Sequence, residues 1–312
     1  MDIYENYHSI SPSPAGCVVV LGNFDGLHKG HLSLLALART VATDNTLPVY
    51  VVSFKTHPQA LNTTHSNGFN ITSFEDKKAV LSTQSVHSFI ALDFNSIRSM
   101  SPHSFINDIL INTLNAKHVC VGYDFYFGHN RSGNIETLKE TTAFTSHILP
   151  PQHDNTGELY SSTRIRQYIQ DGNINKANQQ LGRNFTVSGT VFQDRQMGRK
   201  IQFPTANITI PEYVQPAYGV YAVKVSCPHT TEHWYDAIAN FGVRPTVNSV
   251  KTPILETHIF NFDANLYCKD IQVAFVDFIR PEKRFKNIDF LQKQIYNDCI
   301  QAQNILSHCN TI

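Results

Sequence analysis

The chain has 312 residues, 41% of them hydrophobic, which is enough to bury two cores, and its 25 basic residues balance 25 acidic ones. That balance supplies no bulk field for nucleic acid or an anionic membrane surface, and no apolar run approaches the length needed to span a bilayer. Residues 1–6 lack the basic start and apolar core of a signal peptide, and Cys17, Cys120, Cys227, Cys268, Cys299 and Cys309 show neither zinc-ligand nor redox spacing, so free thiols and a cytoplasmic location are expected.

In chain order, residues 17–21 form the first strong signal, a short valine-rich run of the kind found in a parallel strand buried on both faces. A glycine-punctuated turn follows, Gly22-Asn23-Phe24-Asp25-Gly26-Leu27-His28-Lys29-Gly30-His31. Downstream, Leu32, Leu34, Leu35, Leu37, Ala38 and Val41 recur at a helical period, which puts His31 in the first turn of a helix. His28 and His31, three residues apart, then share a face with the free backbone donors of the helix start, an arrangement suited to a nucleotide phosphate. Two solvated histidines on a glycine turn are the plainer reading of either residue alone. Strand, turn and spacing together favour the site.

Strands are expected at residues 49–54, 89–92 and 118–122, with helices after Phe74 and from Pro102 to Leu114. Repeated strand–helix units imply a doubly wound α/β sheet, whose ligands bind at the carboxyl ends of its strands. The turns Thr56-His57-Pro58 and Tyr123-Asp124-Phe125-Tyr126-Phe127-Gly128 both lie at such ends. Near Gly182 the pattern changes. Alternating segments at residues 186–192, 219–225, 234–239, 254–260 and 271–278 suggest an antiparallel sandwich or small barrel, closed by a helix over residues 289–306.

In this second half, Gly198, Arg199 and Lys200 precede Phe203-Pro204-Thr205-Ala206-Asn207. The basic turn suits a polyphosphate, and the side-chain oxygens of Thr205 and Asn207 suit a hard cation such as Mg2+. A turn merely stabilised by threonine and asparagine fits equally well. Glu256 alternates with Leu255 and shares a face with His258, either as an exposed carboxylate or, if that face lines a cleft, as a proton acceptor for an attacking hydroxyl.

Taken together these motifs resemble the bacterial bifunctional riboflavin kinase and FAD synthetase (FMN adenylyltransferase) family over nearly the whole chain. The resemblance rests on residues 22–31, Thr56-His57-Pro58, residues 122–128 and Ser161-Ser162-Thr163-Arg164-Ile165-Arg166, then on Gly198-Arg199, residues 203–207, 219–223 and 240–246, and Leu255-Glu256 with residues 260–267. It implies a Rossmann-like nucleotidyltransferase domain over residues 1–183, followed by an antiparallel β-barrel kinase domain with a C-terminal helix over residues 184–312.

The implied chemistry is phosphorylation of riboflavin to FMN by ATP, then adenylylation of FMN to FAD with release of pyrophosphate, both aided by Mg2+. The resemblance assigns ATP in the first domain to Gly22, Asn23, Phe24, Asp25, Gly26, His28, Gly30, His31, Ser161, Ser162, Thr163 and Arg166. It assigns ATP in the second to Gly198, Arg199, Thr205 and Asn207, with Glu256 as base and Thr205 and Asn207 as metal ligands. His57, Asp124 and Phe125 are the flavin candidates. Riboflavin, FMN, FAD and ATP are the expected partners, with neither nucleic acid nor membrane. Three features depart from the family pattern: Tyr126 stands where an arginine is usual, Gln202 where a glycine is common, and residues 193–197 are bulkier than the usual glycine-rich loop.

Overall fold

Five valine-rich or apolar strands run parallel, as their two-sided burial requires. In the computed structural model, which describes residues 1–59, 68–193, 203–227, 231–243 and 253–309, they are β2 (Cys17–Leu21), β3 (Val49–Phe54), β4 (Ser88–Leu92), β5 (Ala116–Gly122) and β6 (Thr145–Leu149). A short strand, β1 (Asp2–Tyr4), adds to the edge, giving the order β1-β4-β3-β2-β5-β6 with every pairing parallel. Sequence patterning finds neither β1 nor β6, because both are edge strands with little continuous burial.

Strands β2, β3 and β4 step outward in one direction and β5 and β6 in the other. The order therefore reverses between β2 and β5, and a crevice opens at such a switch point beyond the strands' carboxyl ends. The residues at that point are the turn after β2 and the loop after β5. Helix α1 (Lys29–Asn45) covers one face through Leu34, Leu35, Ala38 and Val41, with α2 (Phe74–Ser82) beside it through Leu81. The other face is covered by the apolar side of α3 (Phe105–Thr113), a stretch wound in the wider π pattern, which begins from Pro102 behind a Ser101 cap.

By packing, the described residues fall into two compact units, 1–59 with 74–161 and 68–73 with 162–309. Helices α4 (Ser162–Gln170) and α5 (Ile174–Leu181) belong to the second unit. Ile165, Ile169, Ile174, Ala177 and Leu181 share a core with the antiparallel strands. Asn178 fastens α5 there, donating to the carbonyl of Phe275 and accepting from the backbone N–H of Phe185.

The second unit's sheet has the order β7 (Phe185–Thr190), β12 (Asp270–Pro281), β9 (Gly219–Cys227), β10 (Thr231–Val243), β11 (Pro253–Ile259) and β8 (Ala206–Ile208), all antiparallel. Its two edges meet: Phe192, just beyond β7, bridges Asn207 in β8, its N–H donating at 3.0 Å. The sheet thus curls into a barrel, and Gly189 permits the closure, since a Cβ there would lie 3.1 Å from Ile208. Tyr221, Val223, Phe241, Leu255 and Phe275 fill the interior. Outside, Val220, Ala222 and Ile238 pack against α6 (Ile288–Ser307). Arg280 of β12 pins α6 by donating from Nε and Nη2 to the buried Asp298 carboxylate at 2.7–3.0 Å. All six cysteines are free thiols; burial pushes Cys17 and Cys120 up to about 12.

Candidate active site

The turn after β2 is built from unusual backbone. Phe24, Gly26 and Leu27 have φ of 49°, 81° and 41°. For phenylalanine and leucine such angles cost on the order of 1 kcal/mol each, so the surroundings must hold them. They do: both side chains are fully buried among Val18, Val20 and Leu35. Backbone that changes hand in this way turns successive N–H groups toward one side, which favours an anion.

His28 caps α1, its Nδ1 accepting the N–H of His31 at 3.3 Å. In the neutral ring this places the proton on Nε2, on the side of the imidazole away from the helix. The two imidazoles stack with centroids 3.7 Å apart and planes within 17°. The Phe24 ring meets His31 edge-on at 5.2 Å. Gly30 is required by this stack, because a Cβ would sit 3.2 Å from both the His28 ring and Tyr160. Gly22 likewise leaves room for the Phe24 ring, 3.1 Å from where a Cβ would be. Of the residues read from sequence at 22–31, the structure packs Phe24, His28 and His31 together, with Gly22 and Gly30 leaving them room.

At the end of β5, the three aromatics divide their work. Phe127 is a core anchor against Phe105, Phe125 stacks on it at 5.7 Å, and Tyr126 is 52% exposed. The Arg131 guanidinium lies 5.1 Å over the Tyr126 ring, so a cation accompanies the position where Tyr126 stands. Asp124 is exposed nearby in the chain, and His57, beyond β3, accepts the N–H of Gln59 through Nδ1.

Ser161 ends the first unit, and Ser162 and Thr163 form the first turn of α4 in the second. Arg166 is held within that second unit. Its Nε donates to the Phe69 carbonyl at 2.9 Å, and its guanidinium stacks 3.8 Å from the Phe69 ring centre. Residues 68–70 bridge Tyr213 and Val214 in parallel, and Gly68 is forced, since a Cβ would collide with the carbonyl oxygens of Pro211 and Tyr213. The sequence carries no signal for this pairing.

On the barrel, antiparallel register does what spacing could not. Glu256 of β11 stands opposite Asn207 of β8 on one side and Asn240 of β10 on the other. Cross-strand partners project to the same face, so carboxylate and carboxamides form one row on the barrel's outer face. Leu255 and Thr257 point inward and are fully buried. His258 shares the Glu256 face, and its Nδ1 donates to the Pro204 carbonyl at 2.8 Å while Phe203 meets its ring edge-on. His258 thereby ties the Thr205 loop to the Glu256 strand, a role that sequence reading misses. Gly198, Arg199 and Gln202 lie outside the described residues.

Asn207 Oδ1 is buried with no hydrogen-bond partner. A buried carbonyl oxygen in that condition is costly, and a hard cation satisfies it. The donor set therefore fits Mg2+.

The candidate residues thus form two separate groups, one on a parallel sheet and one on an antiparallel barrel. A family model described as FAD synthetase matches residues 10–164, and one described as riboflavin kinase matches residues 181–306. A relative from Buchnera aphidicola subsp. Acyrthosiphon pisum, named bifunctional riboflavin kinase/FMN adenylyltransferase, is 34% identical over 97% of each chain. One of the same name from Escherichia coli K12 is 34% identical, again over 97% of each. The chain belongs to this bifunctional family. A crystal structure of a Streptococcus pneumoniae protein, called a macrolide-efflux protein, matches with a TM-score of 0.86 at 33% identity, covering 97% of this chain and 98% of its own. That name is the other protein's. Among the described residues here, no helix is long and apolar enough to cross a membrane.

Proposed function

We propose that this chain converts riboflavin to FMN and FMN to FAD, using ATP in both steps. The observation that carries the reading is that each of the two family-matched stretches keeps a distinct set of groups suited to its own reaction. In the first step the ribityl 5′-hydroxyl attacks the γ-phosphorus of ATP and ADP leaves. An alcohol needs a base, and Glu256 takes its proton. Thr205 and Asn207 are the residues that would hold Mg2+, which supplies charge neutralisation on the phosphates when bound. Gly198 and Arg199 are assigned to the polyphosphate on sequence grounds.

In the second step an FMN phosphate oxygen attacks the α-phosphorus of ATP, and pyrophosphate leaves. This nucleophile is already anionic near neutral pH, so no base is required. What is required is orientation of two anions and stabilisation of developing charge. The turn amides and the Nε2 donor of His28 serve that need, with His31 stacked behind. Gly22, Asn23, Phe24, Asp25, Gly26 and Gly30 shape the turn; Ser161, Ser162, Thr163 and Arg166 are assigned to the same nucleotide by sequence. His57, Asp124 and Phe125 are the flavin candidates, and Arg131 supplies the cation that Tyr126 does not. On sequence grounds we assign the adenylyltransferase to residues 1–183 and the kinase to residues 184–312, with residues 162–181 packed in the barrel's core, in a cytoplasmic enzyme whose thiols stay reduced.

Incubation with riboflavin, ATP and Mg2+, followed by chromatographic separation of flavins, tests the reading. FMN and then FAD are expected. Folded protein that yields neither contradicts it.

A further inference from the structure

One cation beneath the first site has no place in the scheme above. Lys77 on α2 is 5% exposed, and its ammonium lies inside the first unit rather than in solvent. Nζ donates to the Asn23 carbonyl at 3.0 Å and the Phe54 carbonyl at 3.2 Å, with Ser53 Oγ at 3.4 Å. Ser53 Oγ donates to the same Asn23 carbonyl at 2.9 Å. The ammonium therefore joins the start of the turn after β2 to the end of β3. Burial lowers its pKa to about 8, opposed by the attraction of Asp25, itself buried in the turn.

A buried ammonium is expensive, and an apolar side chain would pack a helix face more favourably. What the charge does here is fix one peptide plane. In a trans peptide the carbonyl oxygen of one residue and the N–H of the next point in opposite directions. With the Asn23 oxygen drawn toward Lys77 and Ser53, the N–H of Phe24 is turned the other way, away from both. It is at Phe24 that φ becomes positive and the turn takes its strained path. Without that hold, the Asn23–Phe24 peptide is released to rotate, and the turn loses its strained path.

We propose that Lys77 is a positioning residue for adenylyl transfer, holding the turn after β2 so that its N–H groups meet the phosphates of ATP. The proposal rests on the reading of that turn as the adenylyl-transfer site. Lys77 touches no reacting atom. It acts through the Asn23 carbonyl, and Ser53 acts through the same atom more weakly.

The full chain is assayed with FMN supplied, so that only adenylyl transfer is followed, at a temperature well below its unfolding midpoint. Lys77→Met is expected to raise the KM for ATP about ten-fold or more while the KM for FMN changes less than two-fold. Lys77→Arg should recover at least part of that loss, and Ser53→Ala, which keeps the ammonium, should shift the ATP KM in the same direction by less. Riboflavin phosphorylation by the same variants reports on the barrel and should keep its ATP KM. A lowered unfolding midpoint with unchanged ATP KM in Lys77→Met overturns the proposal, as does an equal rise in both KM values. If Lys77→Met fails to fold, an unchanged ATP KM in both Lys77→Arg and Ser53→Ala overturns it too. Failure of the wild-type chain to make FAD from FMN would instead remove the functional reading beneath it.

Discussion

Under the proposed function, the two candidate sites solve phosphate chemistry by different means. On the parallel sheet, a single contiguous turn at the switch point between β2 and β5 supplies backbone N–H groups and two stacked imidazoles. On the barrel, side chains from three different strands, Asn207, Glu256 and Asn240, are brought into a row by antiparallel register. The nucleophiles explain the contrast. A phosphate monoester arrives ionised and needs placement among positive partners, whereas an alcohol needs a carboxylate to take its proton.

The sharpest way to break this contrast is at Glu256. Replacement by Gln keeps size and hydrogen bonding but removes the base, and should lower riboflavin phosphorylation by roughly 10²–10⁴-fold. FAD formation from supplied FMN should remain. Loss of both activities in the folded variant would merge the two sites into one.

The supports of the two sites should also separate. Asp298→Ala leaves Arg280 without the carboxylate that it grips in a nearly buried pair, and removing one partner of such a pair costs about 3–5 kcal/mol. The barrel's unfolding midpoint should fall, measured by thermal denaturation with riboflavin kinase activity as the readout. In the first unit the corresponding cation is Lys77, whose folded pKa of about 8 lies below its ordinary 10.5. The unfolded chain therefore binds more protons between those values, and burial of the charge costs most at pH 8 and below. As pH rises from 8 to 10, wild type should gain about 2 kcal/mol relative to Lys77→Met. Paired denaturation curves at the two pH values check both the sign and the size.

Smaller effects refine the barrel side. Asn207→Leu should raise the Mg2+ concentration needed for half-maximal kinase activity by on the order of ten-fold, leaving the Mg2+ requirement for FAD formation unchanged. Thr257 lies on the inward face with a buried hydroxyl that has no hydrogen-bond partner. Thr257→Val should therefore be neutral or stabilising by up to about 1 kcal/mol, read as a denaturation midpoint.

The same contrast governs what could be read from the amino-acid order. The turn over residues 22–31 is legible because strand, glycines and histidines are contiguous, and the helical period behind them fixes which face His31 takes. The barrel was visible as a class through alternation, but the pairing of Asn207 with Glu256 depends on which strands become neighbours, which alternation does not encode. His258 looked like a surface partner of Glu256 and proves to hold the Pro204 carbonyl. No local pattern singles out Lys77, because only the packing of α2 beneath the turn buries it. Arg166 was assigned to phosphate by motif, while its guanidinium lies on Phe69, held by a pairing of residues 68–70 with 213–214 that no local pattern announces.

The central claim is that one chain carries two chemically separate sites, and a mixing experiment tests it most directly. Glu256→Gln and His31→Ala are each given riboflavin, ATP and Mg2+, alone and together, and FAD is quantified. Alone, Glu256→Gln should leave riboflavin unchanged and His31→Ala should accumulate FMN. The mixture should make FAD, because one variant supplies the FMN that the other adenylylates. Two folded variants that form no FAD when mixed, or a Glu256→Gln chain that cannot use supplied FMN, would contradict the account.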